Sequence, residues 1–267
     1  MRPPSEAFAR ALSEHPERDR IDPARAGGQH AQYVRALERA GVDVVMLGPE
    51  PELADACFTW DTVLAFPRAG SAGPTALLVA ARPGEPSRRP EVKSVLECAR
   101  RLAASAEVLE IREPGTMDAG DVIIYGDRVA IGVSARTNQP GARQLADAVR
   151  RFGYRPFLCP VGDRLHLASA VTPLGEWRLI GTRAGFASLD AAGADVAPEG
   201  EIERLVIPDD ELVAANVLAI AGRCFVNRGY PHAVAAMTKA GESVVEVELD
   251  EFVRADGGPT CLVAPIA

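Results

Sequence analysis

The C-terminal end of this 267-residue sequence carries a cysteine in a setting that suits covalent chemistry. Cys261 follows the turn-forming run Gly257-Gly258-Pro259, and the apolar residues after it predict a terminal strand. A thiolate where a loop meets the core is accessible to a substrate and is a strong nucleophile. The alternative is a buried structural cysteine, which is the commoner role of a lone cysteine. The local sequence leaves both roles open for Cys261.

A histidine and an aspartate are candidates for moving a proton to or from such a nucleophile. His166 lies between two leucines, so an ordinary core or surface histidine is its alternative role. Sequence distance does not exclude its pairing with Cys261, because catalytic cysteine and histidine residues are neighbours only in the fold. Asp118, which shares the segment MDAGDV with Asp121, is a candidate to orient His166 by accepting a ring N–H. A turn or cap role is equally open for either aspartate.

Four further charged residues have the chemistry to hold a charged small molecule. Asp55 and Asp61 lie in DACFTWD, where Asp61 interrupts what we predict to be an apolar strand. A buried carboxylate needs either an internal donor or a cationic ligand. Arg88 and Arg136 suit bidentate capture of a carboxylate. Both lie near predicted helix starts, with Ser87 and Asn138 as the expected caps, so a solvated position is the alternative. The residues alone therefore indicate a thiol site with acids and arginines available, and no more.

Other classes of function lack their motifs. No glycine-rich phosphate loop and no GxSxG is present, and the cysteines and histidines form no CxxC pair and no zinc pattern, so we expect neither cofactor nor metal. The net charge of −8 argues against a general nucleic-acid binder. The N-terminal region has no apolar h-region, and no apolar run is long enough to span a bilayer. With five scattered cysteines, we expect a cytoplasmic protein with free thiols.

A repeating α/β chain must position these residues. Helical periodicity predicts helices over 27–41, 87–103, 137–153, 184–194 and 230–241, each followed by a short apolar strand. Strand pairs with turns at 125–127 and 221–223, and a pair joined by PRAGSAGP, lie between them. A strand–strand–helix–strand unit thus recurs about five times, at roughly 40–60 residues each. Five units can close into a ring with helices outside, and an open mixed sheet is the alternative. Residues 13–20 and 187–203 are predicted loops, and no linker divides the single domain 1–267.

Several segments resemble the dimethylarginine dimethylaminohydrolase family of the guanidine-modifying, or pentein, superfamily. The most specific, in family order, are PGEPSRRPEV, MDAGDV, SARTNQPGA, RLHLAS, VIPDDELVAANVL and the terminal TC, and the similarity runs from about Arg10 to the C-terminus. The resemblance implies an α/β fold, a five-bladed pseudo-symmetric propeller with a central active site. It also implies a small guanidino amino acid as the partner, and no cofactor. The oligomeric state stays open, a homodimer included.

The resemblance assigns roles residue by residue. Cys261 matches the nucleophile, His166 the general acid and base, and Asp118 the acid that orients this histidine. The remaining matches are substrate contacts: Asp61 with the guanidinium, Asp55 with the α-amino group, Arg88 and Arg136 with the α-carboxylate, and the backbone carbonyl of Ala255. The implied reaction hydrolyses an Nω-substituted L-arginine, methylated arginine first, to L-citrulline and an amine through a thiouronium intermediate on Cys261.

Two positions bear on the choice of substrate. Ser169 stands where arginine deiminases and amidinotransferases have an aspartate that grips the far guanidine nitrogens, so the resemblance favours a substituted guanidine. Trp60 stands where the family has a glutamate, in FTWD rather than FVED. We expect Trp60 to stack on the guanidinium, to pack against its N-methyl groups or to narrow the site, with core filling as the alternative.

Two other functions stay open. One is a related hydrolase or deiminase of another guanidino or ureido amino acid, which the Trp60 position motivates. The other is a non-catalytic binding protein of the pentein fold, which would have no reason to keep Cys261, His166 and Asp118 together. A short lid segment between Leu12 and Ile21 also departs from the family pattern and is expected to affect substrate access.

Overall fold

A computed structural model describes residues 1–70, 72–193 and 202–266 of the protein. The described strands form four sheets of three strands, and every sheet takes three strands that are consecutive in the chain. The strands are β1 Val63–Phe66, β2 Leu77–Ala80, β3 Glu107–Glu110, β4 Val122–Tyr125, β5 Arg128–Val133, β6 Arg155–Pro160, β7 Val171–Pro173, β8 Arg178–Thr182, β9 Glu203–Ile207, β10 Leu218–Ile220, β11 Arg223–Asn227 and β12 Val244–Val247. The helices are α1 Pro23–Arg39, α2 Glu91–Leu102, α3 Gln139–Arg150, α4 Arg183–Asp190, α5 Pro231–Lys239 and α6 Asp250–Val253.

One topology is repeated in every sheet. The first two strands pair antiparallel, and the second and third pair parallel. Because parallel neighbours need a crossover connection, a helix follows the second strand of each sheet, in the order α2, α3, α4 and α5. The predicted strand–strand–helix–strand unit is therefore confirmed in four copies among the described residues, and the fold is mixed α/β.

Each sheet is covered on both faces, as β2 illustrates. Leu77 and Val79 belong to an apolar cluster that includes Val129 of the next sheet. Leu78 lies on the opposite face of the strand, because side chains alternate along a strand, and it packs in a cluster with Val95 of α2. The helices therefore lie outside the sheets, and the inner faces pack against neighbouring sheets.

Helix starts follow the capping chemistry of the sequence. Asn138 accepts a hydrogen bond from the backbone N–H of Gly141 at 2.9 Å and caps α3, as predicted. The predicted cap at Ser87 is wrong, because Ser87 lies inside a 3-10 turn that ends before α2 begins. α1 begins earlier than predicted, at Pro23, because Asp22 caps it by accepting from two backbone N–H groups.

The fifth predicted unit is confirmed only for its helix. α1 forms, but no strand is present in residues 42–47 or in residues 262–266, the described residues after Cys261. Two backbone hydrogen bonds connect Met1 with this region, from the Met1 amino group to the Val45 carbonyl at 3.0 Å and from the Leu47 N–H to the Met1 carbonyl at 2.9 Å. Two such bonds do not make the continued ladder that defines a strand, so both strand predictions are wrong.

Two loop predictions and one strand prediction need correction. Residues 187–190 belong to α4 and β9 begins at Glu203, while residues 194–201 lie outside the described part of the chain. The segment 13–20 ends in a short 3-10 turn, and its first residues are held by hydrogen bonds from Ser13 and Glu14 to Asp256. Asp61 does not interrupt a strand, because Thr59–Asp61 form a 3-10 turn before β1. No described helix is long and apolar enough to cross a membrane.

Candidate active site

Short 3-10 segments before the first strand of each sheet meet at one place. These segments are Thr59–Asp61, Ala119–Asp121, Leu167–Ser169 and Asp209–Ala215, and successive ones are in contact. The segment Gly258–Thr260 joins them from the C-terminal end, through a hydrogen bond from Thr260 N–H to Asn216. Loop residues at equivalent ends of the repeated units therefore converge, which is how residues far apart in sequence come together.

A small cavity lies at this junction. Its volume is about 20 Å³, which is room for roughly one water molecule. Seven of the nine predicted site residues line it, the exceptions being Asp118 and Trp60. The lining residues are Leu12, Asp55, Phe58, Asp61, Arg88, Arg136, Leu165, His166, Ala255, Asp256, Gly257 and Cys261.

Asp118 is fully buried and contacts His166, the histidine that it is predicted to orient. The Nε2 of His166 is 3.2 Å from Oδ2 of Asp118, and Oδ1 of Asp118 accepts from Gly84 N–H at 2.9 Å. Burial opposes ionisation of Asp118, but the hydrogen bond and the positive charge of His166 hold the pKa of this carboxyl below its ordinary value. The acid is therefore ionised, and it fixes the orientation of the imidazole.

His166 is a cation at neutral pH. Burial acts to lower its pKa, but the negative charge of Asp61 and the hydrogen bond with Asp118 raise it to about 9. Asp121 adds a further negative charge, and its Oδ1 accepts the N–H of Leu167, next to the histidine, at 3.1 Å. An imidazolium at this position is a proton donor and not a base for the thiol.

Cys261 is half-buried and contacts two polar side chains. Its sulfur lies 3.6 Å from Nδ2 of Asn216 and 3.8 Å from the Thr260 hydroxyl. Burial, followed by the negative charge of Asp61, raises the pKa of the Cys261 thiol, while its hydrogen bonds act in the opposite direction. Cys261 is therefore a thiol rather than a thiolate at neutral pH.

The structure joins Asp61 to Arg88, two residues that were assigned to opposite ends of the substrate. Oδ2 of Asp61 accepts from an Nη of Arg88 at 2.7 Å, and Oδ1 accepts from Gly120 N–H at 3.1 Å. The Arg88 side chain is buried and also pairs with Glu91, at 3.0 Å. Burial raises the pKa of Glu91 to about 7. Sequence reasoning did not identify Glu91, although it lies three residues after Arg88, a known spacing for ion pairs.

The other two charged candidates keep more capacity for a ligand. The Arg136 side chain is 20% exposed, and its nearest carboxylate oxygen, on Asp118, is 3.8 Å away. Asp55 is buried and accepts the backbone N–H of Leu12 at 3.1 Å, and burial raises the pKa of its carboxyl. The lid segment therefore begins on an acid of the cavity.

Trp60 is placed beside the site rather than in it. Its indole N–H donates to the Ala119 carbonyl at 3.0 Å, and its backbone N–H donates to the Cys261 carbonyl at 3.1 Å. The ring packs against the apolar cluster between the first two sheets. Trp60 therefore links three of the converging segments and does not line the cavity, and its contact with substrate stays a prediction. Ser169 does not line the cavity either.

Gly120 is required where it stands. A Cβ at this position would lie 2.6 Å from Nδ1 of His166 and 2.8 Å from Oδ1 of Asp61. Asn216 and Gly120 were missed as site residues, although both lie in the motifs VIPDDELVAANVL and MDAGDV. Within the described chain, no group of three or more histidine, cysteine or acidic residues could hold a metal ion.

The chain is similar in sequence to known proteins over most of its length. No family model matches the chain. The chain is 33% identical to the dimethylarginine dimethylaminohydrolase of Pseudomonas aeruginosa, over 90% of this chain and 88% of the relative. It is 34% identical to the corresponding enzyme of Streptomyces coelicolor, over 98% of this chain and 94% of the relative.

The chain belongs to the dimethylarginine dimethylaminohydrolase family.

A solved structure of this family has the same fold. The Pseudomonas aeruginosa dimethylarginine dimethylaminohydrolase, as a cysteine-to-serine variant in complex with citrulline, matches with a TM-score of 0.84 and 30% identity. The match covers 98% of this chain and 95% of that chain. The fold of the dimethylarginine dimethylaminohydrolase family therefore extends over nearly the whole sequence.

Proposed function

We propose that the protein hydrolyses an Nω-methylated L-arginine to L-citrulline and methylamine or dimethylamine. The observation that carries this proposal is the cavity where a cysteine, an imidazolium held by an ionised acid, and a buried carboxylate converge. In this assignment Cys261 is the nucleophile, His166 is the proton donor and acceptor, and Asp118 orients His166. Family membership supports the same chemistry.

Binding of a cation activates the nucleophile. The Cys261 thiol resists ionisation because it is buried and lies near the charge of Asp61. A guanidinium bound at Asp61 offsets that charge and places a positive group beside the sulfur, which favours the thiolate. Because His166 is already protonated, the thiol proton leaves to solvent. At neutral pH, a cationic substrate in the cavity therefore increases the thiolate fraction of Cys261.

The reaction proceeds in two balanced halves. The thiolate of Cys261 attacks the guanidinium carbon, and the neutral tetrahedral adduct collapses as the imidazolium of His166 gives its proton to the departing amine. A thiouronium cation remains on Cys261. Neutral His166 then takes a proton from water as the oxygen adds to the same carbon. Cleavage of the C–S bond releases the thiolate, the remaining hydroxyl proton goes to solvent, and a ureido group is formed.

Substrate recognition uses the remaining charged groups of the cavity. A carboxylate has about four lone-pair positions, so Asp61 retains acceptor capacity beyond Arg88 and Gly120. Arg136 is the better placed of the two arginines for the α-carboxylate, because Arg88 is already paired with two acids. The Asp55 carboxylate accepts a hydrogen bond from the α-amino group of the substrate.

The cavity must enlarge before an amino acid enters. Its present volume holds about one water. Leu12 lines the cavity, and 39% of this residue is exposed to solvent. The carbonyl of Ala255 is the proposed backbone acceptor on the same wall. We assign the opening to the lid segment that starts at Leu12.

We also propose that the whole chain 1–267 is one domain, a five-bladed propeller. Four blades are the four sheets, and the fifth consists of α1 with residues 42–47 and the C-terminal segment. The apolar cavity lined by residues 42–47 and 263–266 supports this, because both segments meet there. The free state of all five cysteines supports a cytoplasmic location. Sedimentation velocity separates a monomer from the homodimer that the sequence leaves open.

The test is citrulline release from a panel of monomethylarginine, both dimethylarginines and arginine. Wild type should release citrulline and the amine from at least one methylated substrate, and Cys261→Ser should release none. A wild-type protein that is inactive on every methylated arginine contradicts the substrate. Full turnover by Cys261→Ser contradicts the mechanism.

A second candidate is a hydrolase or deiminase of another guanidino amino acid, and Trp60 is the observation that favours it. Trp60 occupies the family's glutamate position and bonds to Ala119 rather than facing the cavity. Trp60→Phe keeps an aromatic ring and removes the indole N–H, while Trp60→Glu restores the family residue. Ammonia release from arginine exceeding amine release from methylated arginine would favour this candidate. A shift of preference toward methylated arginine in Trp60→Glu alone would trace it to the missing glutamate.

A further inference from the structure

The fourth unit contributes a side chain to the centre that the mechanism above does not use. Asn216 follows the 3-10 segment Asp209–Ala215 and precedes β10, so it occupies the same junction as the functional residues of the other units. Its side chain is buried, with 8% of the residue exposed, and it contacts both Thr260 and the sulfur of Cys261. The sulfur is the reacting atom, so this contact has chemical consequences.

The orientation of the Asn216 amide follows from its partners. The backbone N–H of Thr260 can only donate, and it lies 3.0 Å from one side-chain atom of Asn216, which must therefore be the oxygen Oδ1. The Thr260 hydroxyl donates to the same oxygen at 2.9 Å. The amide nitrogen consequently faces the sulfur, at 3.6 Å. A neutral amide N–H donor at a sulfur favours the thiolate over the thiol, because the charged acceptor makes the stronger hydrogen bond.

Asn216 is also held rigidly. The buried Thr172 hydroxyl of β7 donates to the Ala215 carbonyl at 2.6 Å and accepts from Val217 N–H at 3.2 Å, so both peptide groups beside Asn216 are fixed. Gly258 allows the close approach, since a Cβ there would lie 2.7 Å from Cγ of Asn216. The donor is therefore aimed before any substrate arrives.

We propose that Asn216 is a further catalytic residue, whose side-chain N–H donates to the sulfur of Cys261 and holds the thiolate in line for attack on the guanidinium carbon. The negative charge of Asp61 disfavours the thiolate. The Thr260 hydroxyl has one proton and donates it to Oδ1 of Asn216. The amide N–H of Asn216 is therefore the donor that stays on the sulfur throughout. The proposal rests on the proposed function only for the identity of the electrophile.

A purely structural role for Asn216 is the competing explanation. The two roles can be separated because they use different atoms of the side-chain amide. Oδ1 orders the Thr260 backbone, and Nδ2 contacts the sulfur. Asn216→Ala removes both contacts, whereas Asn216→Asp keeps an acceptor for Thr260 and removes the donor to sulfur. Asn227→Ala is the matched control, because Asn227 is a buried asparagine of β11 outside the cavity.

The test measures the pH dependence of Cys261 alkylation by iodoacetamide, followed by mass spectrometry of the Cys261 peptide. In Asn216→Ala the apparent pKa of this thiol should rise by about one unit, the size expected for losing one hydrogen bond to a charged group. The acid limb of the kcat profile should move by the same amount with little change in KM. Asn216→Asp should shift the pKa at least as far, because it adds a negative charge, and Asn227→Ala should leave it unchanged.

An unchanged alkylation pKa in Asn216→Asp overturns the proposal, as does a loss of activity without any displacement of the pH profile. Asn216→Asp keeps the proposal falsifiable if Asn216→Ala does not fold, because an unchanged pKa of the Cys261 thiol in this variant would still overturn it. Alkylation needs no substrate, so the role of Asn216 and the proposed function are tested independently. A protein that releases no citrulline but shows the pKa shift contradicts the proposed function and supports the role of Asn216.

Discussion

At the scale of single residues, the site depends on the close approach of the His166 and Asp61 side chains to the backbone of Gly120. Gly120 separates His166 from Asp61, and a Cβ would lie within 2.8 Å of both side chains. We expect Gly120→Ala to displace the imidazole and to lower kcat at least a hundredfold, because small misplacements of catalytic groups have effects of this size. Steady-state kinetics on folded protein checks this.

Gly175→Ala is the matched control for this substitution. No atom lies within 4 Å of a Cβ at Gly175, so this variant should retain wild-type kcat. Equal activity of the two variants would show that the backbone near His166 adapts to the added methyl group.

The protonation of His166 should also be visible in the stability of the protein. Its pKa is raised to about 9 in the folded state, from about 6.5 in the unfolded chain, so the folded state binds the proton more tightly. This stabilisation is fully present below pH 6.5 and is lost as the pH rises to 9, about 3 kcal/mol in all. Urea unfolding at pH 6.5, 7.5 and 9 measures the decline.

His166→Gln is the comparison for the pH series, and its free energy of unfolding should decline less over the same range. Turnover of the wild type should fall above pH 9, because the amine then loses its proton donor. A wild-type free energy of unfolding that rises between pH 6.5 and 9 would mean that His166 is neutral in the folded protein.

At the scale of elements, capping decides where the helices next to the site segments begin. Asn138 accepts from Gly141 N–H and from Thr116 N–H, both at 2.9 Å, and so it joins α3 to the segment before Asp118. Asn138→Ala should lower the free energy of unfolding by about 1–2 kcal/mol, as loss of an N-cap does. Chemical denaturation provides the measurement, with Ser87→Ala, which removes no cap, as the control.

Periodicity predicted most elements but not the short irregular ones. Helical spacing located α1 to α5, and strand pairs located three of the four sheets. The pair of β7 and β8 was not predicted. The 3-10 segments, such as Thr59–Asp61, have no period, so Asp61 was assigned to a strand. Residues 42–47 have strand composition but lack a neighbouring ladder, and a ladder is a property of the fold rather than of the segment.

The site was predictable where charge or nucleophilicity marks a residue, and not where geometry alone does. Cys261, His166 and Asp118 carry chemistry that sequence motifs reveal. Asn216 is a neutral amide in an alanine-rich segment, and only the convergence of units places it on the sulfur. The Arg88–Asp61 pair was also missed, because the sequence does not show that the segment before β1 lies beside the segment between β2 and α2.

At the scale of the whole molecule, burial should make Cys261 the single thiol that reacts in the native state. Cys57, Cys98, Cys159 and Cys224 are buried, and Cys261 alone is half-buried among the described residues. Brief treatment of native protein with iodoacetamide should add one label, on the Cys261 peptide, and treatment in urea should add five. Two or more labels in the native state would mean that a sheet opens on the time scale of alkylation.

The convergence of separate units also determines when the protein becomes reactive. Asp61, Asp118, His166 and Asn216 come from four successive units, and Cys261 follows all of them in the chain. A chain emerging from the ribosome therefore carries every auxiliary group before it carries the nucleophile. Cys261, the proposed nucleophile, is translated after these four residues, so a chain that ends before residue 261 lacks the proposed reactive thiol.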